Sequence, residues 1–204
     1  MIFAIIRDMK PYTFMFFGIV GSGKGTQVEL LQKFLKEKNI VDDILYTSTG
    51  VEYRKLIEGG SYTGQKVKIS LEKGFLQPDF LTISLFTNIL ATNMKEQTCL
   101  IADGFPRTIA QSEAFENMMN FYNRDNIKII YIELGKEEAV KRMKLRGRSD
   151  DTDEGIDKRF DEYINNVIPS MNYFKDKKNY TIYTINGNQT IEEVHKEIIN
   201  SIEI

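Results

Sequence analysis

The sequence predicts an α/β fold in which a five-stranded parallel sheet is flanked by helices. Two observations support this prediction: short apolar runs of strand length recur along the chain, and amphipathic helical patterns lie between them. Strands that alternate with helices form parallel sheets, because each crossover helix returns the chain to the same end of the sheet. The five runs are residues 13–17, 44–46, 99–102, 127–134 and 180–185.

The helical patterns between the runs have one apolar face each. After the first run, Val28, Leu31 and Leu35 recur at helical spacing, and a similar face precedes the third run. Two segments look like inserts instead: residues 49–77 are polar, helical and interrupted by glycines, and residues 146–157 are too charged for a core. We find no repeat or linker, so one domain is expected.

Composition restricts the possible functions. A formal net charge of -2 over 204 residues provides no basic surface for a nucleic-acid backbone or an anionic membrane. The single cysteine, Cys99, cannot form an internal disulfide or a four-cysteine zinc site, and it lies in an apolar run, where an inert buried thiol is expected. No apolar run reaches membrane-spanning length. We therefore expect a cytoplasmic protein without nucleic-acid or membrane partners.

The first strand leads into a glycine-rich loop, residues 18–26, which reads GIVGSGKGT. Glycines allow successive backbone amides to point inward, and the following helix N-terminus favours anions. Lys24 would then meet the outer phosphates and the Thr26 hydroxyl could serve Mg²⁺, although Gly25 displaces that hydroxyl by one position from the usual pattern. The alternative is a flexible turn. We favour a phosphate loop, and hence a P-loop nucleoside triphosphate hydrolase-like fold.

Asp103 follows the third apolar run, so its carboxylate is predicted at the carboxyl end of a strand beside the phosphate loop. An acid at this place can hold Mg²⁺ directly or through water. Without the loop, the same acid would most often cap a turn.

Arginine is scarce in this chain, with eight residues against nineteen lysines. Arginine offers a planar, permanently charged fork that binds phosphate at two points, so its placement is informative. For a single arginine, a solvated surface charge is the more common explanation. Six of the eight lie beside other motifs: Arg54, Arg107, Arg142, Arg146, Arg148 and Arg159.

The motifs together resemble the adenylate kinase family of nucleoside monophosphate kinases from about Tyr12 onward. They occur in the family's order: residues 21–27 (GSGKGTQ), residues 48–50 (STG) with Arg54, residues 103–108 (DGFPRT) with Gln111, and residues 147–151 (GRSDD) with Arg159. The DGFPR segment is the most specific of these.

The resemblance implies a set of ligand contacts. ATP would meet Gly21, Ser22, Gly23, Lys24, Gly25, Thr26, Arg142, Arg146 and the backbone near Gln189. AMP would meet Thr49, Gly50, Arg54, Phe75, Leu76, Gln77, Gly104, Phe105, Pro106, Arg107, Gln111, Arg148 and Arg159. The catalytic cations would be Lys24, Arg107, Arg146, Arg148 and Arg159, with Thr26 and Asp103 serving Mg²⁺ and with Asp150 and Asp151 orienting the arginines of residues 146–157.

The resemblance also implies a division of the single domain, residues 1–204. A core (residues 11–47, 78–145 and 158–204) would carry an insert over the monophosphate (residues 48–77) and a short lid over the triphosphate (residues 146–157). Some relatives have a longer lid held by zinc and four cysteines, which this chain lacks. A zinc-free monomer is expected.

The identity of the monophosphate rests on two residues. The Gln111 amide matches the amino group and ring nitrogen of adenine, and Thr49 lies where adenylate-specific relatives have threonine. We therefore expect an enzyme that converts ATP and AMP into two ADP with Mg²⁺. A kinase for UMP, CMP or another monophosphate is one alternative. A catalytically silent nucleotide-binding module is another, although such a module would be expected to lose Lys24 or the arginines.

Overall fold

The computed structural model describes residues 11–147 and 153–204, and its centre is a five-stranded sheet. The strands are β1 (Thr13–Gly18), β2 (Ile44–Ser48), β3 (Cys99–Asp103), β4 (Ile127–Glu133) and β5 (Tyr180–Asn186). All pairings are parallel, in the order β2-β3-β1-β4-β5. Each predicted apolar run forms one of these strands, so the predicted fold is confirmed.

Helices cover both faces of the sheet. They are α1 (Lys24–Glu37), α2 (Thr49–Glu58), α3 (Tyr62–Glu72), α4 (Asp79–Asn93), α5 (Ile109–Phe121), α6 (Lys136–Arg146), α7 (Asp153–Glu162), α8 (Ile168–Asn172) and α9 (Ile191–Ser201). A π-helical turn, Tyr163–Val167, joins α7 to α8. Among the described helices, none combines the length and apolar character needed to span a bilayer.

Alternating side chains of β1 explain the two hydrophobic cores. Phe14 and Phe16 point to one face, where they pack with the apolar residues of α1 and α9. Met15 and Phe17 point to the other face, towards α4 and α5. All six residues of β1 are buried, as expected for a central strand of a parallel sheet that is covered on both sides.

The topology determines where a ligand can bind. The neighbouring strands β1 and β3 pair in register, with Phe16 opposite Asp103. The helix after β1 packs on one face and the helix after β3 on the other. The carboxyl ends of β1 and β3 therefore border a crevice, the usual binding position in such sheets.

Cys99 begins β3 and is fully buried. Burial raises the pKa of its thiol to about 12, with a smaller opposing effect from Arg124. The thiol is therefore protonated at neutral pH and chemically inert, in agreement with the sequence prediction.

Candidate functional site

The phosphate loop connects β1 to α1 in a conformation that only glycine adopts easily. Gly21 and Gly23 have φ angles of 88° and 91°. A side chain at Gly21 would also clash, because its Cβ would lie 2.7 Å from the carbonyl oxygen of Ala139. The loop thus packs closely on α6, while Gly25 and Thr26 are exposed in the first turn of α1. This leaves the helix N-terminus open to an anion.

Lys24 lies inside this loop. Its Nζ donates to the carbonyl oxygens of Gly18 at 2.7 Å and Ile19 at 2.9 Å. Burial lowers the pKa of Lys24 to about 8; Asp103 opposes this shift, and Arg107 and Arg146 add to it. The ammonium group therefore lies in a poorly solvated, strongly cationic environment. The negative charge of a bound phosphate would stabilise the ammonium form and so offset the effects of burial and of the neighbouring arginines on the pKa of Lys24.

One cleft collects most of the predicted cations. It is bordered by the phosphate loop, by α2, by the segment after α3 and by α7. Of the residues that the structure describes, five basic ones line it: Lys24, Arg54, Arg107, Arg146 and Arg159. These residues are spread over 136 positions of sequence, from 24 to 159, so tertiary packing alone brings them together. Such a concentration of positive charge suits a polyphosphate.

The predicted monophosphate residues around Arg107 form a compact group. Arg107 Nε donates to the carbonyl oxygen of Gly104 at 2.9 Å, and Thr49 Oγ1 donates to the same oxygen at 2.9 Å. Gly104 has a φ of 80°, and a Cβ there would lie 2.7 Å from Thr49 Oγ1. The backbone carbonyl of Gly104 thus orients the guanidinium of Arg107. Pro106 also lines the cleft.

Gln111 lines a smaller recess that adjoins the cleft. Its side chain is 1% exposed, and both ends of its amide are hydrogen-bonded. Oε1 accepts from the backbone amide of Arg107 at 2.9 Å, and Nε2 donates to Asp79 Oδ1 at 2.8 Å. Leu76 and Gln77 share the recess, and Phe75 and Leu76 line both spaces.

Two oxygen donors are available for Mg²⁺ beside the loop. Asp103 ends β3 close enough to Lys24 to affect its pKa, and the Thr26 hydroxyl is exposed in the first turn of α1. Carboxylate and hydroxyl oxygens are the ligand types that Mg²⁺ accepts. Among residues 11–147 and 153–204, no three His, Cys, Asp or Glu side chains form a metal-binding group. The chemistry of the two donors fits Mg²⁺, whose other ligands would have to come from water or a bound phosphate.

Some predicted residues lie outside the cleft. Arg142 bonds Glu138 on its own helix, with 2.9 Å between Nε and Oε1. Gln189 donates to the carbonyl oxygen of Asn186 at 3.0 Å and also bonds Glu197. The ring of Phe105 stacks on Phe86 in the core, with centroids 4.2 Å apart. The predictions for Arg148, Asp150 and Asp151 fall outside the described residues.

The predicted insert, residues 48–77, contacts α7, a helix that includes the end of the predicted lid and the start of the core segment that follows it. Arg159 Nη2 on α7 donates to the carbonyl oxygen of Leu71 on α3 at 3.4 Å. The Lys158 ammonium lies 4.8 Å from the centre of the Phe75 ring. Gly74 packs so closely on Gly155 that a Cβ would lie 2.4 Å from the Gly155 carbonyl oxygen. The segment after α3 is therefore in direct contact with α7.

Sequence reasoning missed several residues of the site. Tyr53, Leu71 and Tyr163 line the cleft, and Asp79 holds the amide of Gln111. Asp79 follows Pro78 at the start of α4, where an acid is an ordinary helix N-terminal signal. Tyr163 lies in a π-helical turn, which no sequence pattern predicts. Their participation depends on contacts between distant segments.

Comparison with known proteins confirms the family resemblance seen in the sequence. A family model described as adenylate kinase matches residues 16–179. The chain is 32% identical to an adenylate kinase of Dehalococcoides mccartyi, over 94% of this chain and 98% of that protein. It is 36% identical to adenylate kinases of Flavobacterium psychrophilum and Parabacteroides distasonis, over 91% and 92% of this chain and 97% of each relative.

Proposed function

The chain belongs to the adenylate kinase family, and from that premise we propose that it catalyses the reversible, Mg²⁺-dependent conversion of ATP and AMP into two ADP. The observation that carries this proposal is the cleft in which Lys24 and four arginines surround one space. A protein that only bound a triphosphate would need the loop and Lys24. The additional arginines, from α2, from the segment before α5 and from α7, supply a second phosphate site that faces the first.

The donor nucleotide is held by the phosphate loop. Backbone amides of residues 21–26 and the N-terminus of α1 bind the β- and γ-phosphates of ATP, and Lys24 neutralises their charge. Arg146, at the end of α6, lines the same cleft and would bind the same phosphates. Arg142 and the backbone near Gln189 would bind the rest of ATP, and Arg142 would leave Glu138 to do so.

The acceptor phosphate is held by arginines. Arg54, Arg107 and Arg159 bind the phosphate of AMP and place one of its oxygens in line with the γ-phosphorus of ATP. This oxygen is already an anion, so no general base is required. Catalysis therefore consists of alignment and of stabilising the charge that develops on the transferred group, which Arg107, Arg146, Arg148 and Arg159 share with Lys24.

Asp103 and Thr26 would hold Mg²⁺, partly through water. The ion, when bound, neutralises phosphate charge and orients the β- and γ-phosphates. Asp103 also faces Lys24, so its carboxylate keeps the ammonium group charged against the effect of burial. Asp103 thus also adjusts the charge of the donor site.

Gln111 and Thr49 would select the base. Gln111 offers an acceptor and a donor to the amino group and ring nitrogen of adenine. Phe75, Leu76 and Gln77 enclose the base, and Thr49 and Gly50 position the start of α2 beneath it. Cytosine presents a similar edge, so the size of the recess must exclude it.

Closure around both nucleotides would keep water away from the phosphoryl group. We assign this role to the insert, residues 48–77, and the lid, residues 146–157, which move on a core formed by the rest of the single domain. Within the lid, Asp150 and Asp151 would orient Arg146 and Arg148. We further propose that the protein acts as a cytoplasmic monomer without nucleic-acid or membrane partners, which size-exclusion chromatography with light scattering would test for the monomer.

A panel of monophosphates tests the proposed function. Purified protein is incubated with Mg·ATP and AMP, CMP, UMP or GMP, and nucleoside diphosphate formation is followed. We expect AMP to give the highest kcat/KM. Faster turnover of CMP or UMP would contradict the assignment to AMP. Binding of ATP without ADP formation from any monophosphate would contradict an enzymatic function.

A further inference from the structure

We propose that Asp79 is a specificity-determining residue, which fixes the orientation of the Gln111 amide so that the site accepts a base with an amino donor next to a ring-nitrogen acceptor. This inference rests on the proposed function, because it concerns the same monophosphate site. Asp79 acts through Gln111, so it is a positioning residue. Neither residue neighbours the other in sequence, and 32 positions separate them.

The amide of Gln111 is held at both ends by groups of opposite kind. The backbone amide of Arg107 donates to Oε1, and Asp79 Oδ1 accepts from Nε2. A backbone amide can only donate, and a carboxylate can only accept. If the side-chain amide rotated by half a turn, Nε2 would face the Arg107 donor and Oε1 would face the carboxylate. Both hydrogen bonds would be replaced by repulsion in a buried place, so one orientation is strongly preferred.

Asp79 is itself held in place. Thr108 Oγ1 donates to Asp79 Oδ1 at 2.8 Å and accepts from the backbone amide of Gln111 at 3.2 Å. Asp79 is also the first residue of α4, where the helix N-terminus favours a negative charge. The carboxylate, the hydroxyl and the amide therefore form one connected network that joins the starts of α4 and α5.

The network leaves part of Gln111 available for a ligand. Nε2 has a second hydrogen and Oε1 a second lone pair, and Gln111 lines the recess beside the cleft. In the fixed orientation, Oε1 can accept from an amino group and Nε2 can donate to a ring nitrogen, which is the edge of adenine. Hypoxanthine and guanine present a carbonyl oxygen and a ring N–H instead, so they require the opposite orientation. A free glutamine could rotate to bind either edge, whereas one held by Asp79 cannot.

Asp79→Asn tests the inference. An asparagine amide can either donate or accept, so it can pair with Gln111 in both orientations of the Gln111 amide. The probes are AMP and inosine monophosphate, which differ only in the donor and acceptor pattern of this base edge. We expect the ratio of kcat/KM for AMP to that for inosine monophosphate to fall about tenfold in Asp79→Asn. Glu192→Gln, which removes a carboxylate from the first turn of α9, is the matched control and should keep the wild-type ratio.

A second pair of variants covers the case in which Asp79→Asn does not fold. Thr108→Ala removes a hydroxyl that donates to Asp79 and should lower the ratio of kcat/KM for AMP to that for inosine monophosphate by a smaller factor. Thr108→Ser restores the hydroxyl and should restore the ratio. A residue with a purely structural role would instead lower kcat/KM for both substrates together and leave the ratio unchanged.

The outcomes separate the inference from the proposed function. If wild-type protein phosphorylates AMP and the ratio stays constant in Asp79→Asn and in Thr108→Ala, the inference is wrong and the proposed function stands. If wild-type protein does not phosphorylate AMP, both are wrong. A lowered ratio in Asp79→Asn or Thr108→Ala, with the wild-type ratio retained in Glu192→Gln and Thr108→Ser, supports the assignment of Asp79.

Discussion

At the scale of single residues, the pKa of Lys24 reflects the electrostatics of the cleft. The pKa of Lys24 lies at about 8, below its ordinary value of 10.5, because burial disfavours the ammonium form. At pH 7 the folded protein nevertheless keeps this charge, next to Arg107 and Arg146. Burial of this charged group therefore lowers the free energy of unfolding, which is common for residues of functional sites.

Lys24→Met should make the unliganded protein more stable at neutral pH. The unfolded chain holds the lysine proton up to about pH 10.5, whereas the folded chain releases it near pH 8. Between these values the unfolded state binds more protons, so wild-type stability rises with pH relative to the variant. The advantage of Lys24→Met should be largest below pH 8 and should shrink towards pH 10. Urea unfolding at several pH values would measure it.

Lys33→Met is the matched control, since Lys33 is an exposed lysine on the same helix. Its effect on the free energy of unfolding should be small and should not follow this pH dependence. An equal stability difference for Lys24→Met at pH 7 and pH 10 would contradict the assigned pKa. The same variant should bind ATP much more weakly, which calorimetry would show.

Arg107→Lys should lower kcat on the order of 100-fold or more, because a lysine ammonium cannot form the two parallel hydrogen bonds that a guanidinium makes to a phosphate group. Arg107 Nε is held by the Gly104 carbonyl, which leaves the rest of the fork for phosphate. Initial rates of ADP formation would measure the change. Near-normal turnover would show that Arg107 does not contact the transferred group.

Arg124→Lys provides the comparison for this substitution. Arg124 is 4% exposed, and its Nη2 donates to the carbonyl oxygens of Lys95 and Glu96, away from the cleft. Its replacement should lower the melting temperature and leave kcat close to that of the wild type. The pair therefore separates loss of stability from loss of phosphate binding.

At the scale of elements, the contact between the segment after α3 and α7 is the most informative. Gly74 has a φ of 79° and packs against Gly155, whereas Gly60 has a φ of 67° and a Cβ added there would meet no atom within 4 Å. Both glycines lie in the predicted insert. Alanine would strain the backbone at either position by about 1–2 kcal/mol, but only at Gly74 would it also push the insert away from α7.

Gly74→Ala should therefore raise the KM for AMP several-fold more than Gly60→Ala does. The physical reason is that displacement of the segment after α3 moves Phe75 and Leu76, which line the cleft. Steady-state kinetics with varied AMP would measure this. If the two variants have the same KM, the contact with α7 has no part in the monophosphate site.

Helix α9 offers a test of local stability. Thr190 caps it and forms a reciprocal capping box with Glu193. Thr190→Ala should lower the free energy of unfolding by about 1 kcal/mol, because the backbone amide of Glu193 loses its hydrogen-bond partner. Thr190→Ser keeps the hydroxyl and should lose much less. Equal unfolding midpoints for the two variants in urea would contradict this role.

At the scale of the whole molecule, the two predicted nucleotide sites share one cleft and should be coupled. AMP alone, at about 100 times its Kd, should raise the free energy of unfolding by about 2.7 kcal/mol, and so should a non-hydrolysable ATP analogue. If closure of the insert and lid links the sites, the two ligands together should raise the free energy of unfolding by more than the sum of their separate effects. Thermal unfolding with each ligand and both would measure this, and strict additivity would contradict the coupling.

The fold could be predicted from the sequence because its signals are local. Each strand is a short apolar run, and the phosphate loop is a continuous motif between a strand and a helix, so no knowledge of distant contacts is required. Lys24 and Asp103 could also be placed, because parallel strands bring their carboxyl ends to one edge. The roles of the six arginines came from resemblance to a family, since their spacing alone does not show that they converge.

The rest was decided by contacts between segments far apart in the chain. The hydrogen bond from Arg159 to Leu71 joins residues 88 positions apart in the sequence, and the hydrogen bond from Gln111 to Asp79 joins residues 32 positions apart. Sequence reasoning assigned Gln111 to adenine but could not show which way its amide points, because that depends on Asp79 and on the Arg107 backbone. The sequence by itself thus determined the sheet and the donor loop through local patterns. Only the tertiary structure decided the cationic cleft and the orientation of the Gln111 amide, because hydrogen-bond direction depends on which groups packing brings together.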